Sequence, residues 1–249
     1  MKIALCLFGL PRYSEYVLNT LKQNLLNLYD VDVYAHFWWS ENMIGEFKHR
    51  EFYDVWESDT VTKLEKIIPF KKLKVEPQIH FDLSNFKHIS LEPDLKHLSK
   101  DICKDILFSN KSKWYSTYQS YLLIDNPTEY DFIIITRLDC DYSKPIDVSK
   151  LTTNKLYLQD GYRSGNNRKY TDVFAIGCPV AIKYYAEIYK HTDKYHVYGV
   201  FHLHTHFQKL LNYDILIDHE VYPFGVWILH PSLYTKKRQQ IYLTNKPFI

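Results

Sequence analysis

Residues 130–142 read Tyr-Asp-Phe-Ile-Ile-Ile-Thr-Arg-Leu-Asp-Cys-Asp-Tyr, and this stretch governs how the rest of the chain is read. Phe132 to Ile135 are apolar and mostly β-branched, the pattern of a strand covered on both faces. The run ends abruptly in two carboxylates, Asp139 and Asp141. In α/β proteins, ligands collect at the carboxyl ends of such strands. Two acids one residue apart in that place lose solvation and repel each other. A divalent cation relieves both costs and takes hard oxygen ligands. The plainer alternative is a solvated turn that happens to carry two acids. Cys140 stands between them and points to the opposite side if the segment is extended.

Working outward, Lys2 to Leu7 reads as a first strand and Phe8-Gly-Leu-Pro-Arg12 as a turn. Ser14 suits a helix N-cap, with Glu15 in the first turn. Leu18, Leu21, Leu25 and Leu28 then recur at helical spacing. Val31 to Phe37 reads as a second strand ending at Trp38 and Trp39. This strand–helix–strand opening predicts a parallel sheet. Residues 40–110 are charged and weakly periodic, with strand candidates near Leu73–Val75 and Gln78–Phe81. Trp114 to Ile124 reads as a helix with Tyr118, Tyr121 and Leu122 facing the core, stopped by Asn126-Pro127.

Beyond the two acids, strands are expected at 155–159 and 171–177, separated by a polar loop. Pro179 can start a helix that continues from Ala181 to Tyr189. Another helix is expected over 201–211, a short strand over 213–217 and an extended apolar segment over 221–229. No repeat, linker or low-complexity segment interrupts the chain, so one domain is the economical reading.

Composition narrows the function. Apolar residues make up 46% of the 249, which suits a globular chain with a substantial core. The net charge of +2, from 31 basic and 29 acidic residues, gives no electrostatic case for nucleic acid. No stretch approaches the roughly 20 apolar residues of a membrane span. The start reads as a core strand and not as a signal peptide, because its apolar run is short and leads into Pro11-Arg12. Cys6, Cys103, Cys140 and Cys178 form no CxxC pair and no zinc spacing. Free thiols, with Cys6 and Cys178 in apolar runs, suit a reducing, cytoplasmic compartment.

Four segments in order resemble the GT-A type glycosyltransferases, a family that includes bacterial and viral enzymes of polysaccharide biosynthesis. Residues 3–12 look like the family's first strand, Gly and Arg. Residues 32–38, Asp-Val-Tyr-Ala-His-Phe-Trp, look like its second strand. Residues 130–141 look like its Asp-x-Asp strand, and Asp172-Val-Phe-Ala-Ile-Gly177 like a later segment. The departure lies at residues 201–206, Phe-His-Leu-His-Thr-His, where relatives more often carry a Glu before the helix.

The resemblance implies an α/β fold: a single GT-A-like (Rossmann-like) domain with a mixed, mainly parallel sheet flanked by helices. Its nucleotide-sugar half would cover about 1–142 and its acceptor half about 143–249. It implies Mn²⁺ or Mg²⁺ and a nucleotide-diphosphate sugar, with a glycan or glycoconjugate as acceptor. Asp141 would be a direct metal ligand, and Asp139 would contact the metal or the donor. Arg137 could touch the donor or orient the acids; an ion pair with the aspartates is the other reading. Arg12 could reach the diphosphate, while Phe8 and Gly9 would let the base approach the backbone; an ordinary turn is the alternative. Asp172, before a strand expected to end near the cleft, could bind sugar hydroxyls or act as general base, or it could simply cap a loop.

Of His202, His204 and His206, only His202 and His206 share a face on a helix, and no third ligand stands at zinc spacing. Family practice makes His204, His206 or His230 a candidate third ligand for the donor metal. A nucleotidyltransferase or metal-dependent phosphohydrolase is the first alternative function, although the turn after the first strand is poor in Gly for the former. A non-catalytic glycan-binding module, suggested by the aromatic content, is the second.

Overall fold

Strand β1 (Lys2–Gly9) is apolar and buried from Ile3 to Phe8, and its alternate residues feed two different cores. Ile3, Leu5 and Leu7 face one side, and Ala4, Cys6 and Phe8 the other, all at or near zero exposure. Only a strand at the centre of a sheet covered on both faces can bury every residue in this way. A computed structural model of the chain describes residues 1–12, 14–49, 52–84, 99–142, 145–153, 155–160, 170–196, 218–221 and 227–228, with some, Asp141 and Asp172 among them, by backbone alone.

β2 (Asp30–Trp38) and β6 (Phe132–Arg137) flank β1 in parallel. The sheet extends through β5 (Lys72–Glu76) on one side. On the other it continues through β9 (Tyr170–Gly177), β8 (Lys155–Asp160) and β10 (Asp218–Val221), giving the order β10-β8-β9-β6-β1-β2-β5. β9 alone runs against its neighbours. The architecture is therefore α/β, with a mixed sheet of mostly parallel strands. A hairpin, β3 (Gly45–His49) with β4 (Phe52–Trp56), interrupts the chain between β2 and β5. A two-residue bridge pairs β7 (Cys140–Asp141) with β11 (Trp227–Ile228).

One face is covered by α1 (Ser14–Leu21), through Val17, Leu18 and Leu21, and by α2 (Thr60–Ile67), through Leu64. The turn that prolongs α1 over Lys22–Leu26 is a π-helix, which keeps Leu25 buried. Leu28, expected on the same apolar stripe, is 51% exposed because the widened turn ends the helix before it. The other face is covered by α3 (Lys100–Leu122) and α4 (Pro179–His196). α3 starts well before the expected Trp114, where Ser99 caps it by accepting from the Ile102 amide at 3.3 Å. Tyr121 is buried as expected, whereas Leu122 is half exposed. The strand expected at 78–81 does not form. Pro77 follows β5, and the chain instead crosses α3, where Gln78 accepts from the Ser112 hydroxyl at 2.8 Å.

The expected strands at 2–7, 31–37, 155–159 and 171–177 and the helix from Pro179 are all present. The elements expected over 201–211 and 213–217 lie outside the described residues. Among the described residues no helix is long and apolar enough to cross a membrane. All four cysteines are free; Cys6, Cys103 and Cys140 are buried, and Cys178 is half-buried.

Candidate functional site

After β1 the chain crosses one face through α1 to reach β2. Before β6 it crosses the opposite face through α3. The two crossovers part at the carboxyl ends of β1 and β6, which are adjacent strands. This is the topological switch point of the sheet, where open α/β folds leave a crevice for ligands. Arg137, the last residue of β6, lies in register with Phe8, and the Leu138 amide donates to the Phe8 carbonyl at 3.3 Å.

Asp139 follows immediately and is 3% exposed. Arg137 Nη2 donates to its Oδ2. Its Oδ1 is buried and has no hydrogen-bond partner among the described residues. An unsatisfied buried carboxylate oxygen is expensive, and in native proteins it calls for a water or an ion. Arg137 is a quarter exposed, so it supports the carboxylate from the solvent side without covering both oxygens. Cys140 packs into the α1/α2-side core, away from Asp139, with its Sγ 3.9 Å from the Val173 carbonyl. Burial, reinforced by the Asp139 charge, pushes its thiol up to about 12, so it is no nucleophile.

The turn after β1 faces the same crevice. Phe8 is a core residue on the α3/α4 side, so β1 presents Gly9 there. Gly9 has φ of +109°, and a Cβ added to it would meet nothing within 4 Å among the described residues. Glycine stands there for its backbone conformation and leaves the main chain uncovered. Gly9→Ala should cost about 1–3 kcal/mol from backbone strain alone. Thermal unfolding measures it, and an unchanged melting temperature would contradict the positive φ. Arg12 is half-buried on the turn, its amide donating to the Leu10 carbonyl at 2.8 Å.

Asp141 pairs through its backbone with Trp227 across β7 and β11, which brings residues 227–228 beside the second acid. Asp172 lies on β9. Phe174 pairs with Thr136 and β9 runs antiparallel, so Asp172, two residues earlier, stands at the carboxyl end of β6. Its strand therefore begins near the crevice, where it was expected to end there. His204, His206 and His230 lie outside the described residues. Among the described residues no group of three or more His, Cys, Asp or Glu side chains could hold a metal.

No protein-family model matches the chain, and no curated protein does.

Beside the crevice stands a polar cluster built on β2, β5 and α3. His36, fully buried on β2, has its Nδ1 2.7 Å from Ser116 Oγ on α3 and its Nε2 2.8 Å from Glu76 Oε1 at the end of β5. Burial holds the imidazole below its ordinary pKa, against the opposite pull of Glu76. Burial also works to raise the Glu76 pKa, but hydrogen bonds from His36, Lys74 and Tyr115 hold it below the usual carboxylate value. The Tyr115 phenol is pushed up to about 12 by burial and by that same carboxylate. Tyr115 stacks on Trp38 at 5.2 Å. The available signal was a lone His within the apolar run Val33–Trp38, two residues from the end of the strand.

Proposed function

We propose that the chain is a metal-dependent glycosyltransferase, a single GT-A-like domain that moves a sugar from a nucleotide-diphosphate sugar to a glycan or glycoconjugate. The observation that carries this reading is the orphaned Oδ1 of Asp139 at the switch point of a mainly parallel sheet. The resemblance of four ordered sequence segments supports it.

The donor set fits a hard divalent cation. Asp139 offers one uncommitted oxygen, and Asp141 follows two positions later on β7. Mn²⁺ or Mg²⁺ held there would supply Lewis-acid stabilisation of the charge that develops on the diphosphate leaving group. Arg137 fixes the Asp139 carboxylate by its hydrogen bond and contributes positive charge beside the departing diphosphate. The bare backbone at Gly9 lets the donor lie against the end of β1. Asp172, whose backbone stands at the carboxyl end of β6, would supply from the acceptor half a carboxylate to take a proton from the attacking hydroxyl or to hold sugar hydroxyls.

A thermal-shift panel of UDP-, GDP-, CMP- and dTDP-sugars, with and without Mn²⁺, tests the reading. Ligand at 100 times its Kd stabilises the folded state by about 2.7 kcal/mol. For a chain of this size that corresponds to about 5–10 °C. The rise is expected for one nucleotide class and only with the metal. If no nucleotide sugar raises the melting temperature while a glycan does, the chain is a binding module. Metal-dependent turnover of nucleotides lacking a sugar would instead mark a nucleotidyl- or phosphohydrolase-type enzyme.

A further inference from the structure

The turn that borders the crevice is tied to the far edge of the sheet by a chain of hydrogen bonds, fully buried at its centre and partly buried at its ends. The Gly9 amide donates to Ser116 Oγ at 3.0 Å. Ser116 Oγ lies 2.7 Å from His36 Nδ1, and His36 Nε2 lies 2.8 Å from Glu76 Oε1. Lys74 Nζ closes the far end, 2.9 Å from Glu76 Oε2 and donating to Gln119 Oε1 at 2.9 Å. Four elements, β1, α3, β2 and β5, thus meet in one polar path that runs from the apolar core at Ser116 and His36 to the partly exposed edge at Glu76 and Lys74. Ser116 and His36 are both at zero exposure. Isolated polar groups in that position would be costly, and a fully satisfied path removes the cost while fixing geometry.

The hydrogen positions follow from the acceptors. Glu76 accepts from His36 Nε2–H, which leaves Nδ1 as an acceptor for the Ser116 hydroxyl. Ser116 Oγ then accepts from the Gly9 amide. Every group is satisfied with a neutral imidazole and an ionised Glu76. The charged and titratable groups facing His36 are Glu76 and Lys74 from β5 and Tyr115 from α3, whose ring lies 5.8 Å away. A second acceptor for Ser116, the His36 carbonyl at 3.3 Å, keeps the hydroxyl anchored if its rotor turns.

We propose that Ser116, oriented by His36 and Glu76, is a positioning residue that holds the Gly9 peptide and so pre-forms the turn on which a nucleoside diphosphate rests. The ligand half of this statement rests on the glycosyltransferase reading; the ordering of the turn does not. The Gly9 amide is consumed by Ser116, so it does not bind ligand. Its role is to set the left-handed Gly9 conformation from which the turn bearing Arg12 departs.

Two measurements on the full chain separate these halves. The first is amide hydrogen exchange at Gly9, referenced to Leu5 in the same strand. The second is calorimetric titration with UDP and with GDP in the presence of Mn²⁺. Ser120→Ala is the control, because Ser120 is equally buried on α3 but donates only to the Thr117 carbonyl. Ser116→Ala is expected to speed Gly9 exchange about tenfold relative to Leu5 and to weaken the bound nucleotide about tenfold, the scale of one buried hydrogen bond. Ser120→Ala should do neither. His36→Gln, a second route to the same break, should reproduce both effects if Ser116→Ala folds poorly. Gly9 exchange unchanged relative to Leu5 in both variants overturns the proposal. So does faster exchange with unchanged nucleotide affinity. If the unmodified chain binds neither nucleotide, the glycosyltransferase reading fails, and the exchange result alone decides whether Ser116 orders the turn.

Discussion

Asp139→Asn is expected to lower metal-dependent hydrolysis of the sugar nucleotide by about 10³-fold or more, while the chain stays folded. The substitution keeps the shape of the side chain and an oxygen for Arg137 but removes the charge that a divalent cation needs. A loss of that size corresponds to about 4 kcal/mol of transition-state stabilisation, within what Lewis-acid assistance supplies. The structural cost should be smaller. Arg137 loses its counter-charge but is a quarter exposed, so water compensates much of the loss. Chelation of the wild-type chain should mimic the variant, and added Mn²⁺ should restore the wild type alone. A folded Asp139→Asn protein that kept more than a tenth of its turnover would remove this carboxylate from the mechanism.

The largest effect on stability is expected at Trp114. Its side chain is 1% exposed, and it sits where α3 meets α4, edge-on to Tyr185 at 5.2 Å. Lys113 Nζ lies 4.6 Å from its ring centroid. Trp114→Ala leaves a void that neither a helix nor the sheet can close, at about 3–5 kcal/mol. That corresponds to a fall of about 6–20 °C in melting temperature. Leu122→Ala on the same helix, half exposed, should stay within about 0.5 kcal/mol. Chemical denaturation of the two variants gives the comparison. Near-equal midpoints would mean that Trp114 does not join the two helices.

The strands that frame the crevice were readable because apolar runs with β-branched residues bury on both faces. β1, β2, β6 and β9 all announce themselves in this way. α3 did not, for a physical reason. It buries Asn110, Lys111, Ser112, Ser116, Thr117 and Ser120 beside its apolar residues, so no clean stripe appears. Lys111, Ser112 and Ser116 find polar partners contributed by distant chain, as when Lys111 donates to the Asp82 carbonyl at 3.3 Å. No window of local sequence contains such a partner. The β3–β4 hairpin was missed because it is short and lies outside the main sheet.

The Asp139 position was legible as an acid ending a core strand, but its pairing with Arg137 was only one of two readings. The relay through His36 and Ser116 was not legible, since its members are 80 residues apart. The direction of β9 could have been inferred. Only the nine residues 161–169 separate it from β8, and a parallel return needs about a dozen or more.

That reversed strand has a consequence for how the protein can diversify. Because β8 leaves the sheet at Asp160 and β9 enters it at Tyr170, both attachment points of the intervening segment sit at the same rim as Asp139. Insertions or deletions there can reshape what borders the crevice without shifting a single pairing in the β-scaffold. Changes in loop length alone can therefore alter what lines this rim, while the strands that place Asp139 are inherited intact.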